Sequence, residues 1–476
     1  MQSKETFPIG LSYDDILLVP QYSDITSRRL IDLSSHFSRH ILLKTPVVSA
    51  NMDTVTESQM AIIMALRGGI GVIHRFLTID EQVREVKKVK RAENLVIEDP
   101  FTIAKEATLE EALRLMKENN ISGLVVCDKN KIVEGILTRR DVCFKTDPHL
   151  KVKDLMTPQH SLITAPVGTS PENAIKLLDK HKIEKLPIVD RKNRLAGLIT
   201  ASDFKKTHEH TQATKDTEGR LMVGAAVGVK DGVERAAALV KAGCDVLVID
   251  IAHGHHARCI DLVKLLKKNF KNIDVVAGNV ATAAGARDLI KAGADSIKVG
   301  IGPGAACSTR VVAGAGVPQF SAIREIAPLT HKLNIPLIAD GGIKNPGDVA
   351  KALAAGASTV MIGNMLSGSL ESPGEYFIEE GAAFKVFRGM ASRDASSDRP
   401  QNESGADRDS RAPEGISFRV TYKGEVSKIL RPLVDGLQSG MSYTGARNIK
   451  EFWRKAQFIR MTEAGLKESF PRPGQK

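Results

Sequence analysis

Eight short apolar runs bounded by Gly, Ser, Asn or Asp recur along the chain: Pro46 to Ala50, Gly69 to Ile73, Leu221 to Val227, Val246 to Asp250, Asp274 to Asn279, Ser296 to Gly302, Pro336 to Gly342 and Thr359 to Gly363. Most are separated by alanine-rich helical patterns, among them Asp231 to Gly243 and Asn345 to Gly356. Continuous apolar strands alternating with helices are the signature of βα units whose parallel sheet is covered on both faces. Eight such units predict an α/β fold, a closed (β/α)8 TIM barrel. The alternative is a doubly wound open sheet, but polar residues gather at the carboxyl ends of many runs, where a barrel builds its site.

At 476 residues and 42% hydrophobic content, the chain exceeds what one core absorbs, so a second folding unit is expected. It lies between the second and third runs, where a segment repeats itself at a constant offset. Thr108, Ala112, Leu113, Met116, Gly135, Thr138 and Asp141 match Ser170, Ala174, Ile175, Leu178, Gly197, Thr200 and Asp203. Each copy opens a helix on a hydroxyl N-cap, adds two strand-like runs (Gly123 to Cys127 and Ile132 to Leu137; Leu186 to Val189 and Leu195 to Ile199), and closes on Thr-x-x-Asp. The expected domains are therefore a barrel in two parts, 1–96 and 208–476, with a duplicated unit at 97–207.

The formal charge of +11 raises nucleic acid as a partner, yet aromatics are only 4% and no basic block carries stacking residues. Lys and Arg interleave with Asp and Glu along 82–93, the pattern of a solvated helical face. Attraction of phosphorylated small molecules is the better use of the charge. Cys127, Cys143, Cys244, Cys259 and Cys307 are odd in number and show neither disulfide nor zinc spacing, which points to a reducing, cytoplasmic setting. No apolar run approaches a membrane span, and Met1 to Phe7 has no signal-peptide character. Residues 391–413 contain no aliphatic side chain larger than Ala, so this stretch is expected to be mobile and to act as a flap over a site.

The chemistry concentrates in Gly300 to Arg310, where Cys307 follows a glycine-rich turn and precedes Ser308, Thr309 and Arg310. Glycines let backbone amides approach an anion, and a thiol beside such amides ionises more readily and attacks an electron-poor ring carbon. A Rossmann reading of these glycines fails, because the spacing is wrong and no acidic strand end follows.

With Ser49 to Val55, Asp250 to Gly254, Gly278-Asn279, Asp340 to Gly342, Gly363-Asn364, Phe387 to Met390 and Pro413 to Gly415, this loop closely resembles the IMP dehydrogenase and GMP reductase family over essentially the whole chain. The repeat likewise resembles a pair of CBS modules, a Bateman domain. The resemblance implies Cys307 as the nucleophile on purine C2. It implies Thr309 as the residue placing the leaving amine, and Glu414 as the partner of the purine N1/N2 edge that relays a proton. Arg310 and Arg75 are weaker candidates, and His253 is read as structural. Substrate contacts are implied for Ser49, Asp340 (ribose), Gly342, Gly363, Asn364, Gly389, Met390 and Gly415, with the glycine amides on the phosphate. Asp250, Asn279 and Gly300 are implied on the nicotinamide side. Carbonyls of Gly302, Gly304 and Cys307 are implied for K+, and Thr138, Asp141, Thr200 and Asp203 for regulatory adenine or guanine nucleotides. The resemblance also implies a homotetramer or octamer.

Two reactions share the covalent purine–cysteine intermediate, namely reduction of GMP by NADPH and oxidation of IMP by NAD+. Dehydrogenases of the family activate water with an Arg-Tyr pair on the flap, whereas here Ser397 to Pro400 offers Arg399 without a tyrosine. Ala305, Asn364 and Phe387 replace hydroxyl residues usual at the phosphate. Together with Pro318 to Ala322, Glu371 to Gly374, Gly389 to Arg393 and Glu414 to Ser417, they resemble the CBS-containing bacterial GMP reductases. Ala313 to Gln319 is dehydrogenase-like. The expectation is a GMP reductase. An IMP dehydrogenase is the alternative, and an inactive CBS nucleotide sensor is the remote one.

Overall fold

A computed structural model describes residues 7–92, 97, 100–119, 121–201, 211–397 and 412–471. The chain divides into two compact units, one formed by Met1–Ala92 with Gln212–Lys476 and the other by Glu93–Thr211.

In the larger unit eight parallel strands close on themselves, as the alternation of runs predicts. We number them β1 (Val47–Ser49), β2 (Ile70–Ile73), β3 (Gly224–Val227), β4 (Val246–Ile249), β5 (Asp274–Val280), β6 (Ser296–Val299), β7 (Leu337–Asp340) and β8 (Thr359–Ile362). β8 pairs back onto β1 through Val360 with Val47 and Ile362 with Ser49, which closes the ring. Most of these residues are buried on both faces, which is why the strands read as unbroken apolar runs.

The helices between strands start and stop for local reasons. Thr78 and Glu81 form a capping box on helix Ile79–Arg91, and Asn345 and Asp348 form another on Pro346–Ala354. Three helices end alike, at Gly243, Gly293 and Gly356, whose φ values of +92°, +108° and +122° cost a glycine little. In each case the next amide reaches back five residues: Cys244 N to Leu239 O at 3.0 Å, Ala294 N to Leu289 O at 3.1 Å and Ala357 N to Ala352 O at 3.2 Å. This one turn, repeated, feeds β4, β6 and β8.

Val48, Ile70, Val72, Ala226, Val246, Val248, Val276, Ile338 and Met361 fill the barrel interior, together with Phe37, Ile41 and Leu43 of an N-terminal hairpin. Ser38 Oγ of that hairpin donates to Asp274 Oδ2 at 2.6 Å, at the start of β5. The hairpin therefore plugs the amino end of the barrel and leaves the carboxyl end as the open face.

One reading of the charge pattern is corrected. Helix Ile79–Arg91 does not solvate all its cations: Lys90 is 5% exposed, with Nζ 3.0 Å from Asp216 Oδ2 and 2.7 Å from Asp245 Oδ2. Both acids lie beyond the inserted unit in sequence, so the pairing was invisible in the local pattern.

The smaller unit carries the 62-residue offset into its backbone. One sheet runs Thr102–Ile103, Gly123–Cys127, Val133–Thr138, Thr157–Pro158, and the other Ala165–Pro166, Lys185–Val189, Leu195–Thr200. Register shifts fall at Val126/Cys127 and Ile188/Val189, and Lys131 (φ 63°) and Asn193 (φ 58°) are left-handed turn residues at the same offset. These turns also join the copies, with Leu195 N donating to Lys131 O at 2.8 Å and Val133 N to Asn193 O at 3.0 Å. Thr108 and Ser170 cap their helices, accepting from Glu111 N and Asn173 N.

Candidate active site

The carboxyl ends of β4 to β8 carry most of the residues singled out in the sequence. Beyond β6, Gly300 has φ +148°, and a Cβ there would lie 2.1 Å from Asp340 O, so only glycine lets the cysteine loop pass against β7. Arg310, though exposed, closes the loop: Nη2 donates to Val317 O at 2.7 Å, and Cβ atoms added to Gly302 or Gly316 would strike its side chain.

Cys307 sits in the turn this loop makes, with its N–H on Gly304 O at 3.0 Å and its thiol exposed, 3.2 Å from Thr309 Oγ1. Thr309 opens the short helix Thr309–Val312. Burial pushes the thiol of Cys244 up to about 12 and those of Cys127 and Cys259 up to about 11. Among the cysteines only Cys143 and Cys307 are exposed, and Cys143 belongs to the smaller unit.

Glu414 is joined to the cysteine loop through backbone. Ser308 N donates to Glu414 O at 3.1 Å, Cys307 bridges Gly415, and Ile416 N donates to Ala306 O at 3.0 Å. Gly389 N in turn donates to Ile416 O at 3.0 Å, and a Cβ on Gly389 would lie 2.6 Å from Ala306 O. The chain entering the segment 391–413 (Gly389, then the partly exposed Met390) and the chain leaving it (Glu414, Gly415) are thus both stitched to the cysteine loop.

The segment at 391–413 begins with a short helix. Arg393–Ser397 is helical with Ala395 fully buried, and Ser392 Oγ accepts from Ala395 N at 3.2 Å. A single Ala methyl suffices as an anchor when the adjoining strand is already held. Arg399 lies outside the described residues, as does Asp203.

A second cluster lies at the ends of β5, β6 and β7. A register shift between Gly278 and Val280 gives β5 an extra residue, Asn279, and turns its side chain across the mouth. Asn279 Nδ2 donates to Gly300 O at 2.7 Å and to Asp340 Oδ2 at 2.9 Å. Lys298 Nζ donates to the same Asp340 Oδ2 at 2.7 Å and to Asn279 Oδ1. Gln319 Nε2 braces Asp340 from behind through its carbonyl, at 3.2 Å. Lys298 and Gln319 were not singled out from sequence. The available signal was a lone lysine inside an otherwise apolar buried strand, a cation that must find a carboxylate.

The remaining residues scatter around these two clusters. Gly342 (φ +83°) packs on the Tyr13 ring, and Gly363 lies against Met52 and the edge of Phe387. Phe387 is 2% exposed and edge-on to Phe418, so it presents no polar group. Ser49 is fully buried, its hydroxyl accepting from Thr56 Oγ1 at 2.9 Å, and Asn364 accepts locally from Ser367. Arg388, by contrast, ties the flap's incoming strand to the β1 loop, with Nε 2.8 Å from Asp53 Oδ2. Asp250 ends β4 with Arg75 Nε on its Oδ2 at 2.8 Å, and exposed His253 stands nearby in sequence. In the smaller unit Thr138 Oγ1 donates to Asp141 Oδ2 at 2.7 Å, and Thr200 is buried.

Among the described residues no group of His, Cys, Asp and Glu side chains could hold a metal ion, and no helix is long and apolar enough to cross a membrane. Carbonyl ligation is a separate matter: Gly304 O already accepts from Cys307 N, which leaves one of its lone pairs for a cation.

The profile of a family described as "IMP dehydrogenase / GMP reductase domain" matches residues 10–472. An inosine-5′-monophosphate dehydrogenase of Nitrosopumilus maritimus is 49% identical, covering 98% of each chain. One of Staphylococcus aureus is 51% identical over 97% of this chain and 95% of its own. Among solved structures, a Cys-to-Ala GMP reductase from Trypanosoma brucei in complex with guanosine 5′-monophosphate superimposes with a TM-score of 0.93 at 43% identity, covering 100% of both chains. The GMP reductase of T. brucei in complex with guanosine 5′-triphosphate gives 0.81 at 41% identity, over 96% of this chain and 99% of that one.

Proposed function

This chain belongs to the IMP dehydrogenase / GMP reductase family of purine nucleotide oxidoreductases, and on that premise we propose that it is a GMP reductase. The observation that carries the reading is the flap: no tyrosine occurs anywhere in 391–413, so the Arg-Tyr pair that would activate water for a dehydrogenase is missing. Whole-chain likeness to a GMP-bound reductase supports it.

In this reading Cys307 Sγ adds to C2 of GMP, forming a C–S bond. Thr309 and Glu414 deliver a proton to the 2-amino group, which leaves as ammonia. When bound, NADPH supplies the hydride that C2 receives, after which the C–S bond breaks and IMP departs. GMP, NADPH and two protons thus give IMP, NADP+ and ammonium. Asp340 holds the ribose, and the amides of Gly342 and Gly363 face the phosphate. The partly exposed carboxylate of Asp250, held by Arg75 at the open end of β4, suits the hydroxyls of a nicotinamide ribose. K+ on the loop carbonyls and a tetrameric or octameric assembly belong to the same proposal, and the free thiols support a cytoplasmic setting.

The test is nicotinamide absorbance with GMP plus NADPH and with IMP plus NAD+, each with K+. Loss of absorbance with release of ammonia is expected in the first mixture. A gain in the second alone would establish the dehydrogenase, a reading that the 49–51% identity to dehydrogenases favours and that would cast Arg399 as the base. Silence in both, with covalent trapping by a 6-chloropurine ribotide also absent, would leave the inactive sensor.

We assign the smaller unit as a tandem CBS pair that binds adenine or guanine nucleotides through Thr138, Asp141, Thr200 and Asp203. Replacing residues 97–207 by a short Gly-Ser linker is expected to preserve basal turnover and abolish any response to ATP or GTP. An unchanged response in the deleted form would remove the assignment.

A further inference from the structure

We propose that Lys298 is a positioning residue that commits one oxygen of Asp340 to the protein and the other to the substrate, and thereby sets a preference for an intact ribose. The proposal rests on the nucleotide reading above. Every residue of β6 is buried, and the Lys298 side chain is 4% exposed against 20% for Asp340. An ammonium so enclosed needs a carboxylate, and Asp340 Oδ2 supplies it at 2.7 Å. The Asn279 amide converges on the same oxygen at 2.9 Å, while its own carbonyl oxygen accepts from Lys298. Two donors on Oδ2 fix the carboxylate plane, and Oδ1 takes part in neither bond. Asn279 is itself anchored, through Gly300 O at 2.7 Å, to the loop that carries Cys307. The cation thus sits at the junction of the ribose carboxylate and the cysteine loop. A fixed acceptor discriminates strongly against a substrate that lacks the donor, because the acceptor is then left unpaired. A carboxylate free to rotate finds water instead.

A purely structural lysine would, on removal, weaken all ligands alike. The experiment is calorimetric binding of GMP, 2′-deoxy-GMP and 3′-deoxy-GMP to the full-length protein, wild type against Lys298→Met and Lys298→Arg, with thermal stability followed in parallel. Wild type is expected to prefer GMP by at least about tenfold over one deoxy analogue. Lys298→Met should compress that ratio to about twofold through weaker GMP binding alone, and Lys298→Arg should recover much of it. A folded Lys298→Met that keeps the wild-type ratio, or loses affinity for all three ligands equally, overturns the proposal, as does a wild type that does not discriminate. If Lys298→Met fails to fold, Lys298→Gln, whose amide ends one bond short of the ammonium, must compress the same ratio. Wild type that binds neither GMP nor IMP refutes the nucleotide reading itself.

Discussion

Cys307→Ala is expected to lose turnover by about a thousandfold or more while still binding GMP. The size follows from the chemistry: without sulfur no C–S bond forms at C2, and among the described residues no other exposed thiol of the barrel unit is present. Cys244 and Cys259, the other thiols of the barrel unit, are buried and pushed up to about 12 and about 11, so neither can substitute. Retained binding follows from the geometry. The loop is held by Arg310 on Val317 O, by Ile416 N on Ala306 O and by Gly300 against Asp340, none of which uses the thiol. Paired measurements of turnover and GMP affinity check both halves. Wild-type-like turnover in this variant would eliminate the covalent mechanism, and loss of GMP affinity would show that the thiol shapes the loop.

The largest effect on stability is expected from Lys90→Met, about 3–5 kcal/mol. The side chain is 6% exposed, and its ammonium lies 2.7 Å from Asp245 Oδ2, 3.0 Å from Asp216 Oδ2 and 3.1 Å from Leu221 O. Removing it leaves the buried Asp245 without its ammonium partner, beside an Asp216 that keeps Arg220 Nε at 2.9 Å. Burial already holds the Asp245 carboxyl above its ordinary range, against the pull of Lys90. That direction fixes the pH dependence. A carboxyl whose folded pKa is raised favours the native state below its unfolded value and costs stability as pH climbs through the folded value. The deficit of Lys90→Met should therefore be greatest near neutrality and shrink towards pH 4. Denaturant unfolding can be read on Trp453, the one tryptophan, whose Nε1 donates to Ala357 O at 3.0 Å within the barrel unit. A loss under about 1 kcal/mol at neutral pH would mean that the cluster is no more than a surface ion pair.

Much of the site was legible because its signals are local. Buried parallel strands must be apolar throughout, so β1 to β8 announce themselves; glycines at Gly300, Gly302 and Gly304 reveal a tight loop whatever surrounds it. The duplication was legible as matched residues, and the backbone extends it to matching bulges and left-handed turns. What escaped was pairing at a distance. Lys90 looks solvated until Asp245 is known to face it, and residues 391–413 look unanchored until Ala395 is seen under cover. The bond from Asn279 to Asp340 was likewise hidden, because it depends on a bulge of one residue that turns the amide across the mouth.

Sequence by itself determined the barrel, the repeat and the family and singled out Cys307 as the candidate nucleophile, since hydrophobic period, turn chemistry and a contiguous motif are properties of neighbouring residues. Tertiary structure alone decided how the chain on either side of 391–413 clamps the cysteine loop, and which oxygen of Asp340 is bound by Lys298 and Asn279. Those are matters of hydrogen-bond direction between residues tens of positions apart, and only closure of the barrel brings their donors and acceptors within 3 Å of one another.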